Sequence, residues 1–416
     1  MSKWDVRKKI FVILRLMRAA VCSGGCDVLI KPYPERREML KTVQRSAYLD
    51  LIRFVAMLMV AICHACDPFN AGATYGTGEV DENMFFWGSI WGSCVRACVP
   101  LFVMVTGALC LDTRRTMQHF WKKRISRVFW PFLIWSVLYN MFPFFVGLLG
   151  LPESTVYDFF VWATSSSSDF DVCMERVAEI AYRFHYIACH MWYVYMLIGL
   201  YLIIPVLSPW VRSATRRQIE LVLLVWLIGT FLPYMHEFGG SYFFGECEWN
   251  QFGLLHHFTG FTGYLLLGYY IVTYIPRRAI ASLIWAVPTF AVSVWITWWG
   301  FSFMTSQPDP TPEQTELFWT YCSPNVFMTS IAIFVSLRLV HVRHKFAKLL
   351  RNFAKCSFGV YMIHYFFVGP TYKLVEVCCL PTAVRVPVAA VLVIACSWAV
   401  VALLKRCFGR LKWLLG

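Results

Sequence analysis

Charged residues are scarce in this sequence, and acidic residues are the scarcest of them. Aspartate, glutamate, lysine and arginine make up 15% of the 416 residues, with 24 acidic against 38 basic side chains. Soluble domains carry about 25% charged residues, so this composition excludes an ordinary soluble fold. The net charge of +14 does not indicate a nucleic-acid partner, because the basic residues fall in short clusters at the ends of apolar runs.

The sequence also lacks the paired cysteine and histidine spacings of a metal site. It contains 16 cysteines, but most of them stand inside apolar runs, where cysteine usually acts as a small hydrophobic residue. Cys22 and Cys26 lie close together, without a second pair or a nearby histidine. We therefore expect a loop at this position and no bound metal.

Apolar residues are abundant, at 58% of the chain, and they recur in runs long enough to cross a bilayer. These runs predict an all-α, polytopic membrane bundle of about ten transmembrane helices. The predicted spans are 49–66, 85–111, 128–150, 190–207, 219–235, 257–275, 280–301, 322–340, 356–375 and 385–404.

The loops between these spans alternate in charge. Loops 112–127, 208–218 and 341–355 are basic, whereas the intervening connections are acidic. The positive-inside rule then places both termini in the cytoplasm and requires an even number of spans. We divide the chain into a basic cytoplasmic or interfacial extension (1–46), a membrane domain (47–407) and a cytoplasmic tail (408–416). An alternative is that translation begins at Met39.

The first predicted span carries Arg53 near its start and His64 near its far end, about 16 Å apart along a helix. A charge at membrane depth costs at least about 2.5–3.5 kcal/mol, so such residues usually have a function or a partner. His64 is a candidate general base, and Asp67 lies on the same helical face, where it could orient the ring. The structural alternatives are a packing role for His64 and an ion pair between Arg53 and Asp50.

Other polar residues stand in or beside the spans. Arg124 and Arg127 belong to a basic segment that could bind phosphates or simply set the topology. Further candidates, each with a structural alternative, are Arg96, which has no obvious partner, His190, Trp192, Tyr361 and His364. Tyr361 and His364 share one helical face.

Several motifs together resemble the acyltransferase 3 family over about residues 45–405. Besides the Arg53–His64 spacing, they are Val99–Gly107 (with Thr106 where the family usually has serine), Lys123–Pro131, His190–Tyr193 with Tyr201 and Pro205, Gly263–Tyr270 and Phe358–His364.

The resemblance implies a stand-alone membrane O-acyltransferase in the inner (plasma) membrane. It would move an acyl group, expected to be acetyl, from cytoplasmic acyl-CoA to a hydroxyl of an extracytoplasmic carbohydrate, with acyl-CoA as co-substrate and no bound cofactor. In this interpretation His64 and Asp67 are catalytic and three arginines bind the donor: Arg53, Arg124 and Arg127. The acceptor pocket would include His190, Trp192, Tyr361 and His364.

Two alternatives to this function stay open at the level of sequence. Intramembrane arginine and histidine also mark transport paths, as in a secondary transporter or a flippase for a lipid-linked sugar. The two halves of the chain show no convincing internal repeat, which many transporters have. A racemase or a sensor built on the same membrane module is a weaker option.

Overall fold

The computed structural model describes residues 47–70, 81–160, 167–276, 279–407 and Leu415. The predicted extension 1–46 and all of the predicted tail except Leu415 lie outside these residues. The described part of the chain is helical and contains no β-strand. Its α-helices, in chain order, are α1 (Ala47–Ala65), α2 (Glu82–Cys94), α3 (Cys98–Cys110), α4 (Met117–Leu148), α5 (Ser154–Phe159), α6 (Phe170–Glu179), α7 (Trp192–Ser213), α8 (Arg216–Gly229), α9 (Leu232–Gly239), α10 (Thr262–Tyr274), α11 (Ala279–Thr305), α12 (Pro312–Thr315), α13 (Pro324–Leu339), α14 (His344–Ala354), α15 (Ser357–Ile363), α16 (Tyr365–Val377) and α17 (Thr382–Cys407).

Eight helical segments among these residues are long and apolar enough to cross a bilayer. They correspond to eight of the ten predicted spans, and the all-α membrane bundle is confirmed. A helix suits this setting because it satisfies its own backbone hydrogen bonds where water is absent. The eight segments are Ala47–Asn70, Glu82–Cys110, Met117–Leu148, Tyr186–Ser213, Arg216–Gly239, Ser282–Thr305, Leu317–Leu339 and Thr382–Cys407.

The sixth and ninth predicted spans take a different form from the long helix that we expected. In the sixth, α10 begins only at Thr262, after a 3-10 turn at His256–Phe258 and the positive-φ residue Gly260. In the ninth, α15 and α16 are separated at His364, where the Phe367 amide donates to the His364 carbonyl three residues back. The His364 side chain bonds to a backbone carbonyl of its own helix, which competes with the regular helical pattern.

The second predicted span is interrupted as well. Helix α2 ends at Cys94 and α3 begins at Cys98, so three residues form a break inside an apolar segment. The Val95 amide donates to the Gly92 carbonyl, which closes the end of α2 with a tight turn. The break places Arg96 in the interior of the bundle, where it is 6% exposed.

Helices α3 and α10 approach each other more closely than side chains would allow. A Cβ atom on Gly107 would lie 1.9 Å from the Leu265 carbonyl oxygen, and one on Gly268 would lie 2.0 Å from the Met104 carbonyl oxygen. Small residues at helix crossings permit this spacing in membrane proteins. The contact joins two of the sequence motifs, Val99–Gly107 and Gly263–Tyr270, in the core beside α1.

Candidate active site

Three histidines from distant parts of the sequence meet in the interior of the bundle. His64 lies near the end of α1, His190 in the 3-10 turn before α7, and His364 between α15 and α16. The ring centroids of His64 and His364 are 5.4 Å apart, and those of His190 and His364 are 5.1 Å apart. Three residues that the sequence singled out separately therefore form one cluster, which we call the histidine cluster.

His64 forms a hydrogen bond with Asp67. The distance from Nδ1 to Oδ2 is 3.0 Å, and the two side chains are 16% and 17% exposed. Because an ionised carboxylate only accepts hydrogen bonds, Nδ1 donates, and Nε2 of the neutral ring carries the lone pair that can take a proton. A base held in this tautomer by a carboxylate is the arrangement that activates a hydroxyl group for attack.

His364 is held in the same tautomer by a different partner. Its Nδ1 lies 2.6 Å from the Tyr361 carbonyl oxygen, so Nδ1 donates. Nε2 is buried and meets no hydrogen-bond partner in the part of the chain that the structure describes. A buried polar atom without a partner is costly, and a substrate group would satisfy it. His364 thus offers a second lone pair beside His64.

The ring of His190 is fixed by aromatic neighbours. Its centroid lies 4.9 Å from that of Tyr139 and 5.1 Å from that of Tyr365. The Tyr361 hydroxyl donates to the His190 carbonyl at 2.5 Å. Tyr361 therefore fixes the turn that carries His190.

Trp192 lies next to the histidine cluster but faces a different group of rings. Its ring stacks on Tyr321 with a centroid distance of 5.3 Å and lies 6.0 Å from Phe261. Trp192 is half-buried. Its ring contacts link the segment that carries His190 to Tyr321 and Phe261.

Arg96 has interaction partners that lie far from it in the sequence. Its Nη1 lies 3.8 Å from Glu316 Oε2, and its guanidinium carbon lies 3.6 Å from the centre of the Trp319 ring. Nε meets no hydrogen-bond partner among the described residues, and the guanidinium interacts electrostatically with His64. Arg96 is therefore a buried cation beside the histidine cluster, and its partners are distant in sequence.

The arginines predicted to bind the donor lie at the opposite end of α1. Arg53 Nη1 is 3.1 Å from Asp50 Oδ1, so the ion pair that is the structural alternative for Arg53 is formed, and the arginine side chain remains 31% exposed. On α4, Arg124 is half-buried and Arg127 exposed. All three arginines interact electrostatically with Tyr201 of α7. They share one region of the bundle, separate from the histidine cluster.

Two aromatic members of the site were not among the predicted residues. The Tyr139 hydroxyl donates to the Met362 carbonyl at 2.9 Å, which ties α4 to α15. The Tyr365 ring contacts His64 edge-on, with centroids 5.1 Å apart. A signal for Tyr365 was available, since it directly follows His364. Tyr139 gives no such signal, because an isolated tyrosine in a span is common.

A helical membrane bundle with a carboxylate-oriented histidine, a buried arginine and a separate group of arginines has the components of a membrane-embedded group-transfer enzyme. A model of the acyltransferase domain of the acyltransferase 3 family matches residues 46–402. The chain belongs to this family and is a membrane acyltransferase, which decides against the transporter or flippase alternative. No curated protein and no solved structure shows significant similarity to the chain.

Proposed function

We propose that this acyltransferase moves an acetyl group from cytoplasmic acetyl-CoA to a hydroxyl of an extracytoplasmic carbohydrate. The observation that carries the proposal is the His64–Asp67 pair at the far end of the helical segment that carries Arg53 in its first half. One helix thus links a base to an arginine-rich region across about 16 Å. The extended arm of a CoA thioester is a ligand that would run between them.

The proposed reaction is a direct acyl transfer. The acceptor hydroxyl gives its proton to His64 Nε2 while its oxygen attacks the thioester carbonyl carbon. The tetrahedral intermediate then breaks its carbon–sulfur bond, the CoA sulfur leaves and takes the proton from His64, and the acyl ester remains on the acceptor. Asp67 stabilises the imidazolium that exists between the two steps.

Arg96 supplies the positive charge that the intermediate requires. The carbonyl oxygen becomes an oxyanion during the attack, and a buried guanidinium close to His64 stabilises it strongly where water is excluded. Glu316 and Trp319 hold the guanidinium in place. The unpartnered Nε–H is a donor that the oxyanion would satisfy.

Arg53, Arg124 and Arg127 bind the donor phosphates in this proposal. Their planar guanidinium groups match phosphate geometry, and their shared region around Tyr201 is at the end of the bundle that the charge pattern assigns to the cytoplasm. The same charge pattern supports a multi-pass protein of the inner (plasma) membrane with both termini cytoplasmic.

Transfer of radiolabelled acetyl from acetyl-CoA tests the proposal directly. Purified protein is incubated with surface carbohydrate extracted from the source cells, and label is sought in an alkali-labile ester. We expect His64→Ala to lower this transfer between about 10²-fold and 10⁴-fold with normal membrane abundance, because a general base is lost. Transfer at the wild-type rate by His64→Ala would remove the catalytic assignment.

A further inference from the structure

A cavity of about 450 Å³ lies at one end of α8 and α9, apart from the histidine cluster. Its walls come from the ends of these helices, the loop 240–259 and the segment around Tyr321. This volume is in the range of pockets that bind small organic ligands. Its lining includes Leu232, Pro233, Ser241, Tyr242, Gln251 and Thr259.

The lining of this cavity is mixed in a way that suits a sugar. Leu232 and Pro233 provide an apolar wall for the C–H faces of a sugar ring, whereas Tyr242 and Gln251 provide hydroxyl and amide groups for its hydroxyls. Tyr242 and Gln251 are themselves exposed, so a ligand in the cavity can reach their hydroxyl and amide groups. The lining therefore suits a ligand that has both an apolar face and hydroxyl groups.

The charged groups of the cavity are already engaged with each other. Glu246 Oε2 lies 2.7 Å from His236 Nε2 and accepts the Phe243 amide at 2.9 Å. Burial acts to raise the pKa of Glu246, but the Phe243 amide and His236 outweigh it and hold that pKa below its usual value. This carboxylate is thus held by His236 and the Phe243 amide, and the ring of His256, which also lines the cavity, packs edge-on against Phe252 with centroids 4.6 Å apart. The groups that remain for a ligand are hydroxyls and an amide, which favour an uncharged ligand.

Aromatic rings stand exposed on the loop that closes the cavity. Cys247 and Asn250 exchange backbone hydrogen bonds of 2.9 and 3.0 Å, which forms a tight turn with Trp249 at its tip. Trp249 is 88% exposed and Phe252 is 64% exposed. Membrane-interface contact is a common role for such rings. Gln251, which lines the cavity, lies between Trp249 and Phe252 in sequence, and exposed rings so close to a cavity can also stack on sugar faces.

Stacked aromatic rings connect the wall of the cavity to the segment that carries His190. Thr320 and Cys322 line the cavity, and Tyr321 between them stacks on Trp192. Trp192 in turn follows His190 by two residues. A ligand confined to the cavity would not contact His64, so a substrate that uses both must extend past the Tyr321–Trp192 pair.

From this geometry we infer that the cavity is a second binding site for the carbohydrate acceptor, which holds sugar units beyond the one that is acylated. The inference rests on the proposed function and makes it more specific. The acceptor is an uncharged oligosaccharide or polysaccharide of at least two units, and a free monosaccharide is a poor substrate.

Binding of defined saccharides to the full-length protein in nanodiscs tests this inference. Calorimetry compares neutral tetrasaccharides of hexoses, N-acetylhexosamines and 6-deoxyhexoses with the corresponding monosaccharides. We expect at least one tetrasaccharide to bind about tenfold or more tightly than its monosaccharide. Tyr242→Ala and Gln251→Ala should each weaken that binding about tenfold, because each removes a hydrogen bond and contact area.

Tyr182→Ala is the matched control, because Tyr182 is another exposed tyrosine, 70% exposed, in the segment after α6. It should leave binding unchanged, and unchanged melting temperatures show that all three variants fold. Wild-type affinity in both cavity variants, or no binding of any tetrasaccharide, would overturn the inference. Acetyl transfer by the wild-type protein is measured in parallel. If the protein transfers acetyl but the cavity variants bind saccharide as the wild type does, only the second site is contradicted. If the protein binds saccharide through the cavity but transfers no acetyl, the proposed function is contradicted.

Discussion

The two ring nitrogens of His64 have different environments. Nδ1 donates to Asp67, and Nε2 is left to accept a proton, which is the division of roles that a general base requires. His364 shows the same division through its bond to the Tyr361 carbonyl. At the scale of residues, the proposed acyl transfer therefore depends on the partners that accept the Nδ1–H bonds of His64 and His364, because these partners fix the tautomer of each ring.

Asp67→Asn tests the orienting role of the carboxylate. The amide that replaces it can hold the other tautomer, and it no longer stabilises the imidazolium, so we expect acyl transfer to fall at least about tenfold. The KM for acetyl-CoA should be unchanged, because Asp67 is distant from the donor arginines. Asp158→Asn serves as the control, since it removes an exposed ion pair with Lys373 outside the site. Equal turnover in the two variants would refute the role of Asp67.

Arg53→Lys tests donor recognition without removing the charge. Lysine lacks the planar fork of arginine, so we expect the KM for acetyl-CoA to rise about tenfold with little change in kcat. Arg385→Lys is the control, because Arg385 Nε bonds to the Leu380 carbonyl beside the start of α17, away from the donor arginines. Unchanged donor saturation in both Arg53→Lys and Arg124→Ala would place the phosphates elsewhere.

Interrupted helices place the polar groups of the site inside an apolar bundle. The break between α2 and α3 admits Arg96, and the junction of α15 and α16 admits His364. The uninterrupted helix α1 carries His64 to the same part of the bundle. The close crossing of α3 and α10 packs the helix that follows the Arg96 break against the second half of the sequence.

Gly268→Ala tests the energetic importance of that crossing. The new Cβ would lie 2.0 Å from the Met104 carbonyl oxygen, so the helices must separate, and we expect a destabilisation of about 1–3 kcal/mol. Gly199→Ala is a matched control in α7, because its Cβ would meet nothing within 4 Å. Thermal unfolding in detergent should show a lower melting temperature for the first variant only. Equal melting temperatures would show that the crossing tolerates more space than the structure indicates.

Over the whole molecule, the features that the sequence predicted are the local ones. Apolar runs predicted the helical bundle, and the spacing of Arg53, His64 and Asp67 predicted their arrangement because all three belong to one continuous helical segment. The Arg96–Glu316 pair could not be predicted in this way, because it depends on how distant segments pack. The break at Arg96 was also missed, since its neighbours are as apolar as those of an intact span.

The histidine cluster lies between these two cases. Each of its members stood out in the sequence as a polar group in or beside an apolar run, but only the family resemblance suggested that His190 and His364 belong to one site. The contacts of His364 with His64 and with His190 are a consequence of tertiary packing around Tyr365 and Tyr139. The sequence therefore identified the candidate residues, whereas the distances between them required the structure.

Sidedness is the central claim about the molecule, because Arg53 and His64 lie towards opposite ends of α1, and Arg124 and Arg127 share the region of Arg53. Sealed inside-out vesicles from the source cells expose the cytoplasmic face, so radiolabelled acetyl-CoA is added outside. We expect labelled carbohydrate in the lumen, protected from added esterase until detergent opens the vesicles, and none with His64→Ala. Equal labelling of a membrane-impermeant acceptor supplied on the cytoplasmic face would contradict transfer across the membrane through this site.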